Sequence, residues 1–240
     1  MTKPDPGNDY IAGELRTLRN VIGKIYYNNP YIARAQELTQ TGRLVTLEDF
    51  EKVFPRMFAD PSLPLVLDIG CYSGKTVVEL GNFNPGINVL GIDVKYKRVV
   101  KSCRKIEAAG LQNCRIAICD AGKLVSLLPE NSLLAAFIFF PDPWKKAKQQ
   151  KHRLLTRQFL EVISTKLKKE GFIWLKTDAK AYFDLVLKNL EENKFTISDS
   201  LPETIADREY NTLFEEMFVK QAKPVYRAVI RKTPGTLKTV

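Results

Sequence analysis

LLAAFIFFPDPWKKAKQQKHR, residues 133–153, joins an unbroken apolar run to a Pro-Asp-Pro turn and then to a cationic strip. The run LLAAFIFF, stopped by Pro141 and Pro143, reads as a buried strand that ends abruptly at a sheet edge. Asp142 is then held at the strand's carboxyl end. Lys145, Lys146, Lys148, Lys151, Arg153 and Arg157 follow, with no acidic residue before Glu161. In an open α/β sheet the crevice outside the strand carboxyl ends is where ligands bind, so a fixed carboxylate beside these cations points to chemistry on something polyanionic. The plainer alternative is a strand, a tight turn and a solvated, basic helix start.

On either side of this stretch, short apolar runs alternate with helical periodicity, the signature of βαβ units around a parallel sheet. The strands are expected at 63–69, 88–94, 114–119, 133–140 and 171–177, with helices near 76–82, 95–109, 122–128 and 154–168. A further helix from Asp178, carried by Phe183, Val186, Leu187 and Leu190, leads to closing strands at 194–198 and 226–231, giving seven strands in all. Upstream, Ile11, Leu15, Leu18 and Ile22 share one helix face. Pro30 is expected to end that region, and Leu47, Phe50, Phe54 and Met57 to form a second helix capped by Thr46. The expected organisation is an N-terminal helical extension at 1–60, one α/β domain at 61–232 and a flexible tail at 233–240.

A chain of 240 residues suits one well-buried domain with an extension. Its net charge of +10 with ordinary apolar content argues against disorder and for an anionic partner, nucleic acid or a membrane surface. The polar, proline-broken start MTKPDPGNDY is unlike a signal peptide, and no apolar run approaches the ~20 residues that span a bilayer. A cytoplasmic protein without membrane attachment is expected. Cys71, Cys103, Cys114 and Cys119 lack C-x-x-C spacing and His152 is the single histidine, so neither a metal site nor a disulfide is assigned.

In LVLDIGCYSGK, residues 65–75, Gly70 and Gly74 lie between the first strand of the domain and a helix, where backbone can approach a ligand. Asp93 ends the second strand, placed to accept from ribose hydroxyls, and Asp120 closes the third. Three acids, Asp68, Asp93 and Asp120, thus stand near the ends of three successive strands. They suit a neutral nucleoside carrying a cation better than a pyrophosphate, which favours S-adenosylmethionine over NAD; the alternative is that they cap the following helices. Tyr72 occupies the place where such loops usually carry a middle glycine, so its ring must point away or narrow the pocket.

The chain resembles the bacterial tRNA (guanine-N7)-methyltransferases. The matching pieces are LDIG at 67–70, GIDV at 91–94, CDA at 119–121, LPENSL at 128–133, FFPDPWKKAK at 139–148, TDAKAY at 177–182, TLFEEMF at 212–218 and KPVYR at 223–227. They occur in the family's order. The resemblance implies a class I methyltransferase-like Rossmann fold with a mixed, mostly parallel seven-stranded sheet and helices on both faces. It implies S-adenosylmethionine as cofactor and tRNA as partner, with the variable-loop guanine as the expected target and a monomer or homodimer as the working state. Residue by residue it implies cofactor contacts from Asp68, Asp93 and Asp120, beside the loop glycines Gly70 and Gly74. Asp142 falls at the reacting centre, and substrate contacts fall to Lys146, Asp178, Thr212 and Glu215. The chain departs from the family in the loop Cys71-Tyr72-Ser73-Gly74 and in Lys148-Gln149 and Lys151-His152-Arg153, where an Arg-His pair and a Lys-Arg-Arg triplet are usual.

Guanine N7 is an acceptor on the base edge, so its lone pair can attack a sulfonium methyl without prior deprotonation. The site must then supply positioning and a negative group near the purine as it becomes cationic, a role that suits Asp142. Trp144 could stack on a base or pack below the turn. Asp178, Thr212 and Glu215 carry groups that can read a purine edge; alternatively Asp178 caps a helix and Thr212 with Glu215 forms a capping box. A methyltransferase for a small molecule or protein, and a non-catalytic RNA-binding relative, are the competing expectations.

Overall fold

The computed structural model describes residues 30–192, 195–198, 205 and 210–232; the helix expected around 11–22 and the tail at 233–240 lie outside these. Among the described residues, eight strands form one sheet in the order β1-β4-β3-β2-β5-β6-β8-β7. The central strands are β2 (Leu65–Ile69), β3 (Asn88–Asp93), β4 (Cys114–Ile118), β5 (Leu133–Phe139) and β6 (Leu167–Thr177). They run parallel, whereas β8 (Tyr226–Lys232) pairs antiparallel with both β6 and β7 (Phe195–Ser198). The mixed, mostly parallel sheet expected from the βα alternation is therefore present, with one strand more than the seven counted. The addition, β1 (Leu44–Thr46), pairs in parallel with β4 at the sheet edge. Three residues are too few to display a period of two, so the sheet takes in part of the stretch assigned to the N-terminal extension.

Helices cover both faces because alternate residues of each buried strand need apolar cover on opposite sides. Val66, Val89, Ile116 and Phe137 pack with α1 (Pro30–Gln40), α3 (Lys75–Phe83) and α4 (Tyr96–Ala108). Leu67, Leu90, Ala117 and Ala136 pack with α2 (Leu47–Val53), α5 (Ala121–Leu127), α6 (Arg157–Lys166) and α7 (Lys180–Glu192). The final helix, α8 (Leu213–Lys220), precedes β8.

Two boundaries differ from expectation for local reasons. Pro30 opens α1, a helix not expected from the sequence, since a first-turn proline lacks only an N–H that would be unpaired anyway; the region it was expected to end lies outside the described residues. Thr46 caps α2 as expected, accepting from the Asp49 N–H, but the helix gives way to a 3₁₀ turn at Phe54–Arg56 around Pro55. β6 starts four residues before Gly171: Leu133 pairs with Leu167 and Ala135 with Phe172, so a bulge absorbs the charged Lys168-Lys169-Glu170.

Candidate active site

The strand order sets β4, β3, β2 and β5 side by side, and in register Asp68 stands between Gly91 and Phe137 while Asp93 pairs with Ile118. Asp68, Asp93, Asp120 and Asp142 thus fall at one carboxyl edge, on or just beyond four adjacent strands. Their environments differ. Asp120 is exposed and its carboxylate caps α5, accepting from the Lys123 N–H at 3.0 Å. Asp93 is buried and well supplied, accepting from the Tyr72 N–H (3.2 Å), the Lys95 N–H (2.9 Å) and the Arg98 guanidinium (3.3 Å). Asp68 is 3% exposed, caps nothing, and its Oδ2 has no hydrogen-bond partner. Burial, reinforced by the nearby Asp93 charge, pushes its carboxyl up to about 7. The helix-capping alternative therefore describes Asp120 and part of Asp93, but not Asp68.

Gly70 and Gly74 serve the loop differently. Both have positive φ, +81° and +73°. Gly70 has open space where a Cβ would stand, so backbone is available to a ligand there. At Gly74 a Cβ would lie 2.7 Å from that of Ser102, so this glycine seats the loop on α4. Tyr72, between them, adopts φ 50°, which is rare for a bulky residue. Its ring lies under the Arg98 guanidinium at 4.7 Å and edge-on to Phe214 at 5.4 Å.

A cleft of about 30 Å³ lies beneath this aromatic pair, lined among others by Asp68, Gly70, Tyr72, Phe139, Thr212 and Phe214. Pockets for small molecules run to roughly 300–1,000 Å³, so the cleft beside the start of α8 is, as it stands, too small for a nucleoside. That start is latched: Lys75 donates to the Asn211 carbonyl at 2.7 Å and pairs with Glu216.

Beyond β5 the chain is strained. Phe140 and Trp144, bracketing Pro141-Asp142-Pro143, take φ 51° and 44°, and such outliers persist where the surroundings over-determine them. Two contacts do this here: the Phe140 N–H donates to the Lys176 carbonyl at 2.7 Å, and Arg153 Nε to the Pro143 carbonyl at 2.8 Å. Arg153, counted in the cationic strip, is thus a strut of the turn that also lies over the Tyr182 ring at 5.5 Å. The Trp144 ring stands against His152 at 5.5 Å. Asp142, Lys145, Lys146, Lys148 and Lys151 are exposed.

Glu215, expected among the substrate contacts, is turned inward. It is 2% exposed, and its two oxygens meet Lys176 Nζ at 2.8 Å and Arg227 at 2.6 Å. Lys176 and Arg227 are direct cross-strand partners on β6 and β8; like charges so placed repel, and Glu215, bridging both, offsets that repulsion. Lys176 is fully buried, with further contacts to the Tyr210 carbonyl and to the Phe139 and Trp174 rings. Thr212 accepts from the Glu215 N–H at 3.1 Å, half of the capping box. The α7 start is served by Thr177, whose hydroxyl accepts from Ala179 N–H, and not by Asp178. Among the described residues no group of three or more His, Cys, Asp or Glu is placed to hold a metal, and no helix is long and apolar enough to cross a membrane. Cys71, Cys103 and Cys114 are buried free thiols.

Residues 62–228 match a family described as "Putative methyltransferase". The tRNA (guanine-N(7)-)-methyltransferase of Alkaliphilus oremlandii (strain OhILAs) is 34% identical over 171 residues, 70% of this chain and 81% of that protein. The protein of the same name from Rubrobacter xylanophilus is 31% identical over 175 residues, 72% of this chain and 78% of its own length. Among solved structures, one described as "an Antibiotic Related Methyltransferase" superposes with a TM-score of 0.53 at 18% identity, over 79% of this chain and 95% of that one. Precorrin-6y C5,15-methyltransferase from Geobacter metallireducens GS-15 superposes with a TM-score of 0.51 at 14% identity, over 77% and 87%. These neighbours bear on the fold alone, the class I methyltransferase Rossmann-like arrangement. From the extent and identity of the sequence matches, the chain belongs to the tRNA (guanine-N7)-methyltransferase family.

Proposed function

We propose that the protein is a cytoplasmic enzyme that transfers a methyl group from S-adenosylmethionine to N7 of a guanine in tRNA, the variable-loop guanine being the target. The observation that carries this reading is the row of acids on four adjacent strands, one of which, Asp68, is a buried carboxylate with an unpartnered oxygen. A buried group of that kind is costly unless a donor reaches it, and the amino group of S-adenosylmethionine is a cationic donor. The catalytic unit is 61–232, completed at one edge by β1.

S-adenosylmethionine supplies an electrophilic methyl group on a sulfonium. Asp68 holds the cationic amino end. Asp93, already oriented by three donors, offers the free acceptor site of its Oδ1 to a ribose hydroxyl, and Asp120 contributes the oxygen not used in its cap. Gly70 lets the backbone come close. Asp142 faces the guanine and stabilises the positive charge that the ring acquires. Lys146, with Lys148 and Lys151, takes phosphate oxygens, which position the RNA without reading it. Asp178 and Thr212 contact the base, while Glu215 acts through its N–H and its ion pairs to seat Thr212.

The test is methyl transfer from tritiated S-adenosylmethionine to unmodified tRNA transcripts, followed by chain scission specific for N7-methylguanine. Label at one variable-loop guanine is expected. Label only in protein or small-molecule fractions overturns the substrate, and binding of both ligands without transfer overturns the enzyme.

Tyr72 provides a separate check on the cofactor end. Admitting a nucleoside breaks the Tyr72–Phe214 contact, and aromatic pairs contribute ~0.5–1.5 kcal/mol. Tyr72→Gly also suits a position with φ 50°. It should bind S-adenosylmethionine several-fold more tightly in isothermal titration. Weaker binding would mean that the ring is a wall of the site instead of a plug.

A further inference from the structure

We infer that the exposed face of α4 is a second RNA-backbone contact, separate from the lysines after Asp142; this rests on the tRNA substrate proposed above. Between Asp93 and Glu107 the chain carries Lys95, Lys97, Arg98, Lys101, Arg104 and Lys105 and no acid. All but the half-buried Arg98 are exposed, while Val99, Val100, Cys103 and Ile106 bury the opposite face. Lys97, Lys101 and Arg104 repeat at i, i+4 and i+7, a single stripe.

This stripe opposes the helix that bears it. Like charges at i, i+4 repel, and the first turn of α4, the positive end of its dipole, contains no acid; the carboxylate at that end is Asp93, on the Lys95 N–H, and it is already shared with Tyr72 and Arg98. On other helices some exposed cations are paired, as in Arg157–Glu161, Lys180–Asp184 and Arg34–Glu37, and those unpaired among the described residues, such as Lys52 and Lys188, stand singly and form no stripe. Of the α4 cations Arg98 pairs with Asp93, while the helix's one acid, Glu107, is engaged by Arg43; Lys101 and Arg104 have no acidic partner among the described residues. An uncompensated cationic stripe is what a polyanion would neutralise.

Its position fits the same polyanion. α4 starts at the carboxyl end of β3, and β2 alone separates β3 from β5, so Lys95 and Lys97 begin about two strand spacings, ~10 Å, from where the Asp142 turn begins. From there the stripe descends the α1–α3–α4 face of the sheet. An RNA with its guanine at Asp142 can thus be gripped on both sides of the crevice, by the lysines after Asp142 and by α4.

The test is a Lys97→Gln/Lys101→Gln/Arg104→Gln variant of the full chain, assayed by filter binding to tRNA across a salt series and by steady-state methyl transfer. The log–log salt slope should fall by about 2, since each lost phosphate contact removes ~0.7–0.9. The KM for tRNA should rise roughly tenfold or more, with kcat and S-adenosylmethionine affinity unchanged and the melting temperature unchanged or higher. An unchanged slope and KM overturns the inference. So does a variant that keeps its tRNA affinity but loses binding to phosphatidylserine vesicles, which would assign the helix to a membrane surface. Should the Gln variant melt lower, Lys97→Arg/Lys101→Arg/Arg104→Lys decides: retention of the wild-type slope supports a charge contact, and loss of it overturns one. A wild-type protein that binds tRNA but methylates none would remove the proposed activity while the salt slopes still report on α4.

Discussion

Asp142→Asn is expected to lower the single-turnover rate of methyl transfer by about 10²–10³, the loss typical of removing one aimed electrostatic group, while leaving both ligand affinities close to wild type. The side chain is exposed and has no hydrogen-bond partner among the described residues, so the fold does not depend on its charge. Its backbone is held from elsewhere, by Phe140 N–H on the Lys176 carbonyl and by Arg153 on the Pro143 carbonyl. The amide therefore replaces the carboxylate in an undisturbed turn. An interaction made only as charge develops on the purine appears in the chemical step and not in binding. With both ligands saturating, the wild-type rate should be nearly flat between about pH 6.5 and 8, because guanine N7 has no proton to lose. Full activity in the variant would remove Asp142 from the reacting centre. A rate climbing tenfold per pH unit would require a titrating base, and hence a different acceptor atom.

The parallel core, the loop glycines and the four acids are legible in the sequence because each follows from a local pattern: apolar runs, βα alternation, and an acid where a run stops. What escapes is set by residues far apart in the chain. Lys176 reads as one polar residue near the end of an apolar run, yet it is fully buried because Glu215, 39 positions later, supplies its counter-charge while also pairing with Arg227. Glu215 in turn reads as a residue able to meet a ligand. Only the register of β6 with β8, which sets the two cations opposite each other, explains why it points inward. Arg153 is equally ambiguous, since a guanidinium after a lysine run looks like a phosphate contact until its Nε is seen on the Pro143 carbonyl. The basic stripe on α4 could have been found, because its i, i+4, i+7 spacing lies within one helix; the same segment's apolar positions read first as core.

Asp68→Asn should show that the chain gives up stability to keep an ionised carboxylate ready for its cofactor. The Asp68 carboxyl stands at about 7 in the folded protein, against the 3.8 ordinary for a carboxylate, chiefly from burial and then from the Asp93 charge. The native state thus binds this proton more tightly than the unfolded chain. The favourable contribution is complete below about pH 4 and drains away as pH rises through about 7. At pH 8 the wild type carries the full cost of the buried charge, of the order of a few kcal/mol, and the Asn variant does not. The variant should therefore melt several degrees higher at pH 8, at ~2–4 °C per kcal/mol for a chain of this size, and about the same as wild type near pH 4. Its cofactor binding should be largely lost. In the wild type, S-adenosylmethionine affinity should increase about tenfold between pH 6 and 8 as Asp68 ionises, and titration near pH 7 should release roughly half a proton as the ligand's cation draws the carboxyl down. Differential scanning fluorimetry across pH and calorimetry in buffers of different ionisation enthalpy measure both quantities. A variant that binds the cofactor like wild type, with the same pH profile, would show that the unpartnered oxygen of Asp68 faces some other donor.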